Sequence, residues 1–331
     1  MRKRTIWLPL LLFPLGAVFA SLFVGRYPVR VGEVVGALVG AGGVPAVPRA
    51  LILTVRLPQA VGAALVGLHL ALAGAAFQGM FRNPLVDSRI LGVSAGAAFG
   101  AALGILTGIP WYLTDGLAFA FGLLAVGLVL AVARRFGGSI LVLVISGILV
   151  GSLFSALLGV IKYLADPLDT LPAITYWLLG SLADMRWEGV AKLLPATLLG
   201  AGTLLLLRWR LNVLSLEERE AGSLGVDVWR LRTAAILAST VLVASAVSQA
   251  GTIGWIGLIT PHAARALMGP EHSRVLPASM ALGAGFLVVL QLLSRSLTGS
   301  EVPLGVLTGI VGVPAFLFLF MRQLARGGGW R

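Results

Sequence analysis

One pattern in this sequence has the residue types for catalysis by a serine. The stretch Gly92-Val93-Ser94-Ala95-Gly96 matches the Gly-x-Ser-x-Gly pattern around a nucleophilic serine, and His262 on a later apolar segment could serve as its base. The chain has 43 glycines, however, so such a match arises easily by chance, and no oxyanion-donor pattern accompanies it. A rhomboid-like intramembrane serine protease is therefore the weakest of the functions considered, and we predict no catalytic residue.

Metal, redox and nucleotide chemistry have little support in the residue types. The chain contains no cysteine, and its three histidines, His69, His262 and His272, do not have a metal-ligand spacing. It also lacks the Gly-x-x-x-x-Gly-Lys-Ser/Thr loop that holds nucleotide phosphates. We predict no metal site and no cofactor on this chain, so any ATP and magnesium would have to bind to a partner.

The elements that must position any functional residue are apolar and long. Of the 331 residues, 58% are hydrophobic and 11% are charged, and the mean hydropathy is +0.98. Water-soluble domains average about 25% charged residues, so the composition predicts an integral membrane protein. The net charge of +12 would also suit nucleic-acid binding, but the basic residues cluster between apolar segments, as membrane topology signals do. We therefore expect lipid around the chain and no nucleic-acid partner.

Ten apolar segments predict an all-α integral membrane bundle with ten spans. They cover residues 6–24, 57–81, 91–107, 113–133, 140–164, 188–207, 232–250, 252–268, 276–294 and 303–321. An even number of spans puts both ends on one side, and most of the Lys and Arg residues fall on the side of the N-terminus. The sequence thus predicts a multi-pass protein of the inner (plasma) membrane with both termini in the cytoplasm. The first segment is predicted to be an uncleaved span, not a signal peptide.

Small residues recur at every fourth position in three of these segments. The series are Gly92, Gly96, Gly100, Gly104 and Gly108; Gly67, Ala71, Ala75 and Gly79; and Gly147, Gly151, Ser155 and Gly159. Residues four apart share one face of a helix, so each series predicts a smooth strip for close helix packing.

Three connecting segments are too polar to cross a membrane. In residues 25–56, apolar residues at helical spacing predict an amphipathic helix on the outer surface, and a short outer helix is expected at about 168–183. The loop of about 209–231 alternates apolar and charged residues, which favours a cytoplasmic surface that docks a protein. Ser215 and Asp227 are predicted to begin two short helices in this loop.

Few ionisable residues lie within the predicted spans. His69 is the one placed near a span centre, and we expect it to be packed and hydrogen-bonded, without a transport role. A carrier driven by protons or sodium needs carboxylates, histidines or interrupted helices at mid-depth. An ion-coupled secondary transporter is therefore the alternative function, and an external energy source is favoured.

Seven motifs in a fixed order resemble the FecCD family, the permease subunits of type II ATP-binding cassette importers for vitamin B12, haem and iron siderophores. They are Arg56-Leu57-Pro58; 73–79 with Arg82-Asn83-Pro84-Leu85; Leu91-Gly92-Val93-Ser94-Ala95-Gly96-Ala97; the Leu-Pro-Ala-Ile-Thr-Tyr-Trp-Leu-Leu-Gly-Ser-Leu run of 171–182; 221–226; 254–262; and Glu301-Val302-Pro303-Leu304-Gly305. The resemblance runs nearly end to end. It implies one transmembrane permease domain over 1–331, a homodimer with a pathway on its axis, two cytoplasmic ATPase subunits and an external substrate-binding protein.

The resemblance also assigns roles to individual residues. Coupling to the ATPase is assigned to Glu218, Ala221, Gly222, Leu224 and Gly225. Docking of the binding protein is assigned to Arg56, Gln59 and Arg295. Many relatives have arginine where this chain has Gln59, so docking is expected to be weaker here or to use Arg49 or Arg186. The pathway and its gates are assigned to Gly138, Ser139, Ile140, Leu141, Ser146, Ser152, Ser155, Leu171 and Trp177, with no metal ligand among them.

The cargo is the least determined property. Members of the family carry cobalamin, haem and ferric siderophores, and one branch with a similar 171–182 run carries small oxyanions such as molybdate. We expect a metal chelate, because such cargoes dominate the family.

Overall fold

Helices form nearly all of the regular structure of this chain. The computed structural model describes residues 6–87, 89–214, 225–297 and 300–325, and no strand occurs within these ranges. The helices are α1 (Trp7–Ser21), α2 (Val31–Leu38), α3 (Ala46–Ala50), α4 (Leu57–Met80), α5 (Val93–Leu106), α6 (Trp111–Arg135), α7 (Ile140–Leu164), α8 (Thr170–Leu179), α9 (Trp187–Ala196), α10 (Gly202–Leu207), α11 (Leu211–Leu214), α12 (Val228–Ala250), α13 (Ile256–Met268), α14 (His272–Ser294) and α15 (Leu304–Ala325). Wider π-helical turns, Leu51–Arg56 and Thr197–Ala201, join α3 to α4 and α9 to α10.

Every predicted apolar segment contains a helix, and the all-α membrane fold is confirmed. Among the described residues, seven helical stretches are long and apolar enough to cross a bilayer: Ala46–Met80, Trp111–Arg135, Ile140–Leu164, Trp187–Leu207, Val228–Ala250, His272–Ser294 and Leu304–Arg322. The other three predicted segments form shorter helices, α1, α5 and α13, of 15, 14 and 13 residues. At 1.5 Å per residue each of these is about 20 Å long, less than the roughly 30 Å hydrocarbon core. The count of ten spans therefore stays a prediction.

The centre of the bundle is α4, which packs against α1, α12, α13 and α14. Glycines let the backbones approach. A methyl group on Gly67 would overlap the carbonyl oxygen of Gly283 in α14, and one on Gly74 would overlap that of Gly257 in α13. The predicted small-residue strip on α4 is thus a helix-packing face, as expected where lipid supplies no hydrophobic drive for association.

The strip on α5 faces α6. Added methyl groups on Gly96 and Gly100 would overlap backbone oxygens of α6, at Phe121 and Leu117. The third series, on α7, serves two purposes. Gly147 packs against the backbone of Ile90, whereas the space next to Gly159 is open. Only the first half of that strip is used within this chain.

Two smaller expectations concern single elements. His69 is fully buried and its Nε2 lies 2.7 Å from the hydroxyl of Thr197, so the prediction of a packed, hydrogen-bonded histidine is confirmed. The expected amphipathic helix in residues 25–56 corresponds to α2. Val34 is buried beneath it, but Val31 and Val35 are exposed, so this helix presents much of its apolar surface outward.

Hydropathy alone does not distinguish the three short helices, α1, α5 and α13, from helices that cross the whole membrane. The predicted segment 252–268 begins with a non-helical stretch, Gly251–Trp255, and α13 starts only at Ile256. Gly251 has φ +67° and Trp255 has φ +70°, which are left-handed conformations that interrupt a helix. Likewise α5 begins after Gly92, whose φ is +77°. These breaks leave irregular backbone inside the bundle.

Candidate translocation pathway and docking surfaces

Helix α7 has one exposed apolar side along most of its length. The side chains that are at least 37% exposed are Leu141, Ile145, Ile148, Leu149, Leu153, Leu157, Val160, Tyr163 and Leu164. Ser152 and Ser155 are also exposed, and the Ser155 hydroxyl donates to the carbonyl of Gly151 at 2.8 Å. This side of α7 lacks a partner among the described residues, although the opposite side packs against α5 and α6, so it is available to a second protein surface or to a pathway.

Not all residues assigned to the pathway lie on this side. Ser146 is only 4% exposed and points into the bundle. It lies six residues before Ser152, so the two side chains are about 120° apart around the helix. Ser146, which the resemblance assigns to the pathway together with Ser152 and Ser155, therefore does not share their exposed side. Leu171 and Trp177 on α8 are half-buried, and Trp177 lines a cavity that is described below.

Two glycines and an N-capping serine determine where α7 begins. Gly137 and Gly138 have φ of +84° and +67°, and the Ser139 hydroxyl accepts from the amide of Val142 at 3.3 Å. Gly138 is buried beneath the indole ring of Trp229. Its carbonyl accepts from Nη1 of Arg232 at 3.1 Å, which joins this part of the predicted pathway to α12.

A small recess of about 470 Å³ opens at this point, lined by Arg134, Gly137, Gly138, Val228, Trp229 and Arg232. Leu141 is 68% exposed just beyond it, whereas Ile140 is half-buried. The gate residues named from the sequence therefore lie at the junction of α6, α7 and α12, although their part in gating stays a prediction.

The coupling loop is described only at its edges. Glu218, Ala221, Gly222 and Leu224 lie outside the described residues, and so does Ser215. Gly225 is described and has φ +73°. The Asp227 carboxylate accepts from the amide of Arg230 at 3.0 Å and begins α12 directly, so the second short helix predicted at Asp227 is instead the first turn of a long one.

Short helix α8 lies within the predicted range of 168–183 and is fastened at its C-terminal end. Gly180 ends it with φ +74°. The Gly180 carbonyl accepts from the amide of Leu304 at 2.8 Å, and the amide of Ser181 donates to the carbonyl of Ala250 at 2.9 Å. The Thr252 hydroxyl also donates to the carbonyl of Leu178. These bonds join α8 to the end of α12 and the start of α15.

A cavity of about 570 Å³ lies beside α8. Its lining is Ile105, Trp111, Asp115, Ala173, Tyr176, Trp177, Ser181, Asp184, Met185, Arg186, Glu188, Gly189, Lys192, Gln249, Ala250 and Gly251. At its wall the Asp115 carboxylate accepts from Nζ of Lys192 at 2.7 Å and from Nε2 of Gln249 at 3.1 Å. Asp115 is 8% exposed, and pairing with Lys192 offsets the cost of burying its charge.

The residues assigned to docking are buried. Arg56 and Gln59 are each 3% exposed and Arg295 is 6% exposed. Arg56 donates through its two Nη atoms to the carbonyls of Leu22, at 2.7 Å, and Tyr27, at 2.5 Å. The expectation that these side chains project toward a binding protein therefore needs correction, because their donors are directed at backbone oxygens inside this chain.

The other two members of this group make similar internal contacts. Arg295 donates to the carbonyl of Ser21 and to Oε1 of Gln59, the latter at 3.5 Å, while Nε2 of Gln59 donates to the carbonyl of Ala183 at 2.7 Å. Helix α1 ends at Ser21, and its last carbonyls lack partners within the helix. Arginine supplies several donors in a fixed fork, so it suits this task better than lysine.

The negative charge of Glu301 partly balances the positive charge of Arg295 in this cluster. Burial raises the pKa of the Glu301 carboxyl, and nearby Asp184 adds to this, while Arg295 and Arg26 act in the opposite direction. Burial, followed by the charge of Arg56, lowers the pKa of Arg295 to about 10. Arg295 therefore remains protonated at neutral pH and keeps its donors.

We expect Arg56→Gln to destabilise the isolated protein. Glutamine cannot reach both the Leu22 and Tyr27 carbonyls, so loss of charge-assisted bonds at buried oxygens costs about 3 kcal/mol. Thermal unfolding in detergent, without any partner, should shift down by several degrees. The matched control is Arg49→Gln, because Arg49 is exposed in α3. Equal stability of the two variants would contradict a structural role for Arg56.

Nearly the whole chain matches a known family. The model of the FecCD transport family matches residues 10–322. The chain belongs to the FecCD transport family. The resemblance predicted from the sequence motifs is therefore confirmed, and the protein is a multi-pass ABC transporter permease.

Relatives in this family match over three quarters or more of their length. The molybdate import system permease protein MolB of Haemophilus influenzae is 41% identical, over 93% of this chain and 92% of the relative. The cobalamin import system permease protein BtuC of Halobacterium salinarum is 40% identical, over 86% of this chain and 77% of the relative. A solved structure described as an inward-facing conformation of a putative metal-chelate type ABC transporter has a TM-score of 0.88, with 38% identity, and covers 96% of this chain and 99% of that one.

Proposed function

We propose that this protein is the transmembrane subunit of an ABC importer that moves a metal chelate, such as a ferric siderophore, haem or cobalamin, across the inner membrane. Two copies form a homodimer around the pathway, and an external binding protein delivers the cargo. Two ATPase subunits bind ATP and magnesium on the cytoplasmic side, where both termini of the permease lie. The permease itself catalyses no reaction.

The observation that carries this proposal is the extent of the likeness. The family match spans residues 10–322, and the solved ABC transporter covers 96% of this chain at a TM-score of 0.88. The exposed side of α7 supports the second copy, because it has no partner in the described residues and would line the pathway enclosed between two copies.

A small oxyanion is the second candidate for the cargo. The relative named for molybdate is 41% identical and is matched over 92% of its length, while the relative named for cobalamin is 40% identical over 77%. Overall identity does not separate these two cargo classes.

The proposal is tested by purifying the permease from its own host membrane in mild detergent and identifying the co-purifying proteins by mass. We expect a stoichiometric ATPase subunit, and ATP-dependent uptake when this complex is reconstituted with its binding protein. Uptake that follows an ion gradient, by a permease that purifies without an ATPase, would contradict the proposal and would favour the secondary transporter. Both the co-purification and the uptake measurement use the full chain.

A further inference from the structure

The segment between α4 and α5 rises into the bundle. The carbonyl of Ile90 packs against Gly147, which is seven residues, or about 10 Å, beyond the first residue of α7. Gly92 packs against Gly151, about 16 Å along the same helix. Because α7 has 25 residues and is about 37 Å long, the residues just before α5 lie well inside the bundle.

A second non-helical segment reaches the same region. It is Gly251–Trp255, and the carbonyl of Gly257, shortly after it, accepts from Nε2 of Gln78 at 3.2 Å. The guanidinium of Arg89 lies flat against Gly254, since a methyl group there would be 3.3 to 3.5 Å from its two Nη atoms and its central carbon. Arg89 therefore connects the segment before α5 with the non-helical segment Gly251–Trp255.

The charge of Arg89 is only partly satisfied within this chain. Its Nε donates to the Asp87 carboxylate at 2.7 Å, and its side chain is 52% exposed while that of Asp87 is 17% exposed. In the described part of the chain, the Nη groups have no hydrogen-bond partner. A charged side chain and irregular backbone at membrane depth are stable where they face water or protein, and are costly against lipid.

We infer that Arg89 faces a water-filled part of the translocation pathway and favours the passage of cargo with net negative charge. This inference rests on the proposed importer function and narrows its cargo to an oxyanion or an anionic, carboxylate-bearing chelate. The free Nη donors match the paired oxygens of such groups. Asp87 partly neutralises Arg89, so the site attracts an anion without holding it tightly, which is what release on the far side requires.

The native absence of cysteine makes this inference testable without knowing the cargo or the partners. A single reporter, Ile148→Cys, lies next to Gly147 and therefore near Ile90, and Ile148 is 57% exposed. In native membranes it is treated with an anionic and a cationic methanethiosulfonate, and the ratio of the two modification rates is measured. A second reporter, Gly159→Cys, lies on the same side of α7 but 11 residues, or about 16 Å, farther along, beyond the screening length of about 10 Å in 0.1 M salt.

We expect Arg89→Gln to lower the anion-to-cation ratio at position 148 about fivefold, Arg89→Lys to retain it, and neither change to affect position 159. The matched control is Arg274→Gln, because Arg274 also pairs through Nε with a preceding acid, Glu271, and has a 44% exposed side chain. The inference would be overturned if neither reagent modified the Ile148→Cys reporter. It would also be overturned if the anion-to-cation ratio at position 148 were the same with and without Arg89.

The cargo class has its own measurement, on the reconstituted complex with its ATPase and binding protein. The probes are molybdate and ferric dicitrate as anions and cyanocobalamin as a cargo without net charge. We expect ATP-driven uptake of an anionic probe and at least a tenfold loss of it in Arg89→Gln, with ATPase activity retained. Uptake of cyanocobalamin alone would overturn the anionic class while the importer function stood. A wild-type complex that takes up none of the probes and whose ATPase activity is not stimulated by its binding protein would instead contradict the importer function.

Discussion

We expect Gly74→Ala to destabilise the protein markedly, although the same substitution normally stabilises a helix by about 0.5 to 1 kcal/mol. Gly74 lies in the middle of α4, where an added methyl group would overlap the carbonyl oxygen, carbonyl carbon and Cα of Gly257. Backbone atoms cannot rotate away, so α4 and α13 must separate. Overpacking of this kind costs about 1 to 3 kcal/mol, and more where backbones are in direct contact.

The measurement is thermal unfolding of the purified protein in detergent together with the yield of monodisperse protein. Gly127→Ala is the matched control, because Gly127 is also in the middle of a long helix, α6, and no atom lies within 4 Å of an added methyl group there. We expect a lower midpoint for Gly74→Ala and an equal or higher one for Gly127→Ala. Similar midpoints would mean that α4 and α13 do not pack as closely as described.

The consequence of Gly74→Ala should reach beyond stability. Gly257 is next to the non-helical segment that contains Gly254, and its carbonyl also accepts from Gln78. Moving α13 away from α4 therefore displaces the backbone against which Arg89 lies. Uptake should fall by more than the loss of folded protein accounts for.

Much of the helical structure could be predicted from hydropathy and spacing. All ten apolar segments contain helices, and the strips of small residues on α4 and α5 are close-packed faces, because residues four apart lie on one side of a helix. The helix starts at Val93 and Ile256 could not be predicted in this way. The residues around them are as apolar as a span, and only backbone conformation at Gly92, Gly251 and Trp255 shows the break.

The candidate site was harder to predict because the resemblance assigns roles to individual residues without showing what their side chains contact. Arg56 and Arg295 were expected at an outer surface, yet both are buried and donate to carbonyls that follow or end α1. Arg89 received no role from the sequence, and it lies beside Gly254 within the bundle. In each case a specific backbone contact, which the sequence does not display, outweighs the tendency of arginine to lie in bulk water.

We expect Leu224→Asp to abolish ATP-driven uptake while leaving the membrane bundle folded. Leu224 belongs to the predicted coupling loop and lies outside the described residues, but the residues on either side are anchored. Leu211 and Leu214 are buried before the loop, and Asp227 caps α12 after it. A carboxylate in an apolar docking surface is desolvated without a partner, which costs about 3 kcal/mol and corresponds to more than a hundredfold weaker association.

The decisive measurement is the amount of ATPase subunit that co-purifies with the permease, with uptake measured on the same preparations. Val39→Asp is the matched control, because Val39 is 74% exposed after α2, outside the predicted spans and on the opposite side from the loop in the predicted topology. The Val39→Asp variant should still co-purify with the ATPase subunit. Because Leu224→Asp places no charge in the lipid, a normal elution profile with lost ATPase would identify a coupling defect. Full uptake by this variant would remove the loop from the coupling mechanism and leave the recess beside Trp229 as the surface to test next.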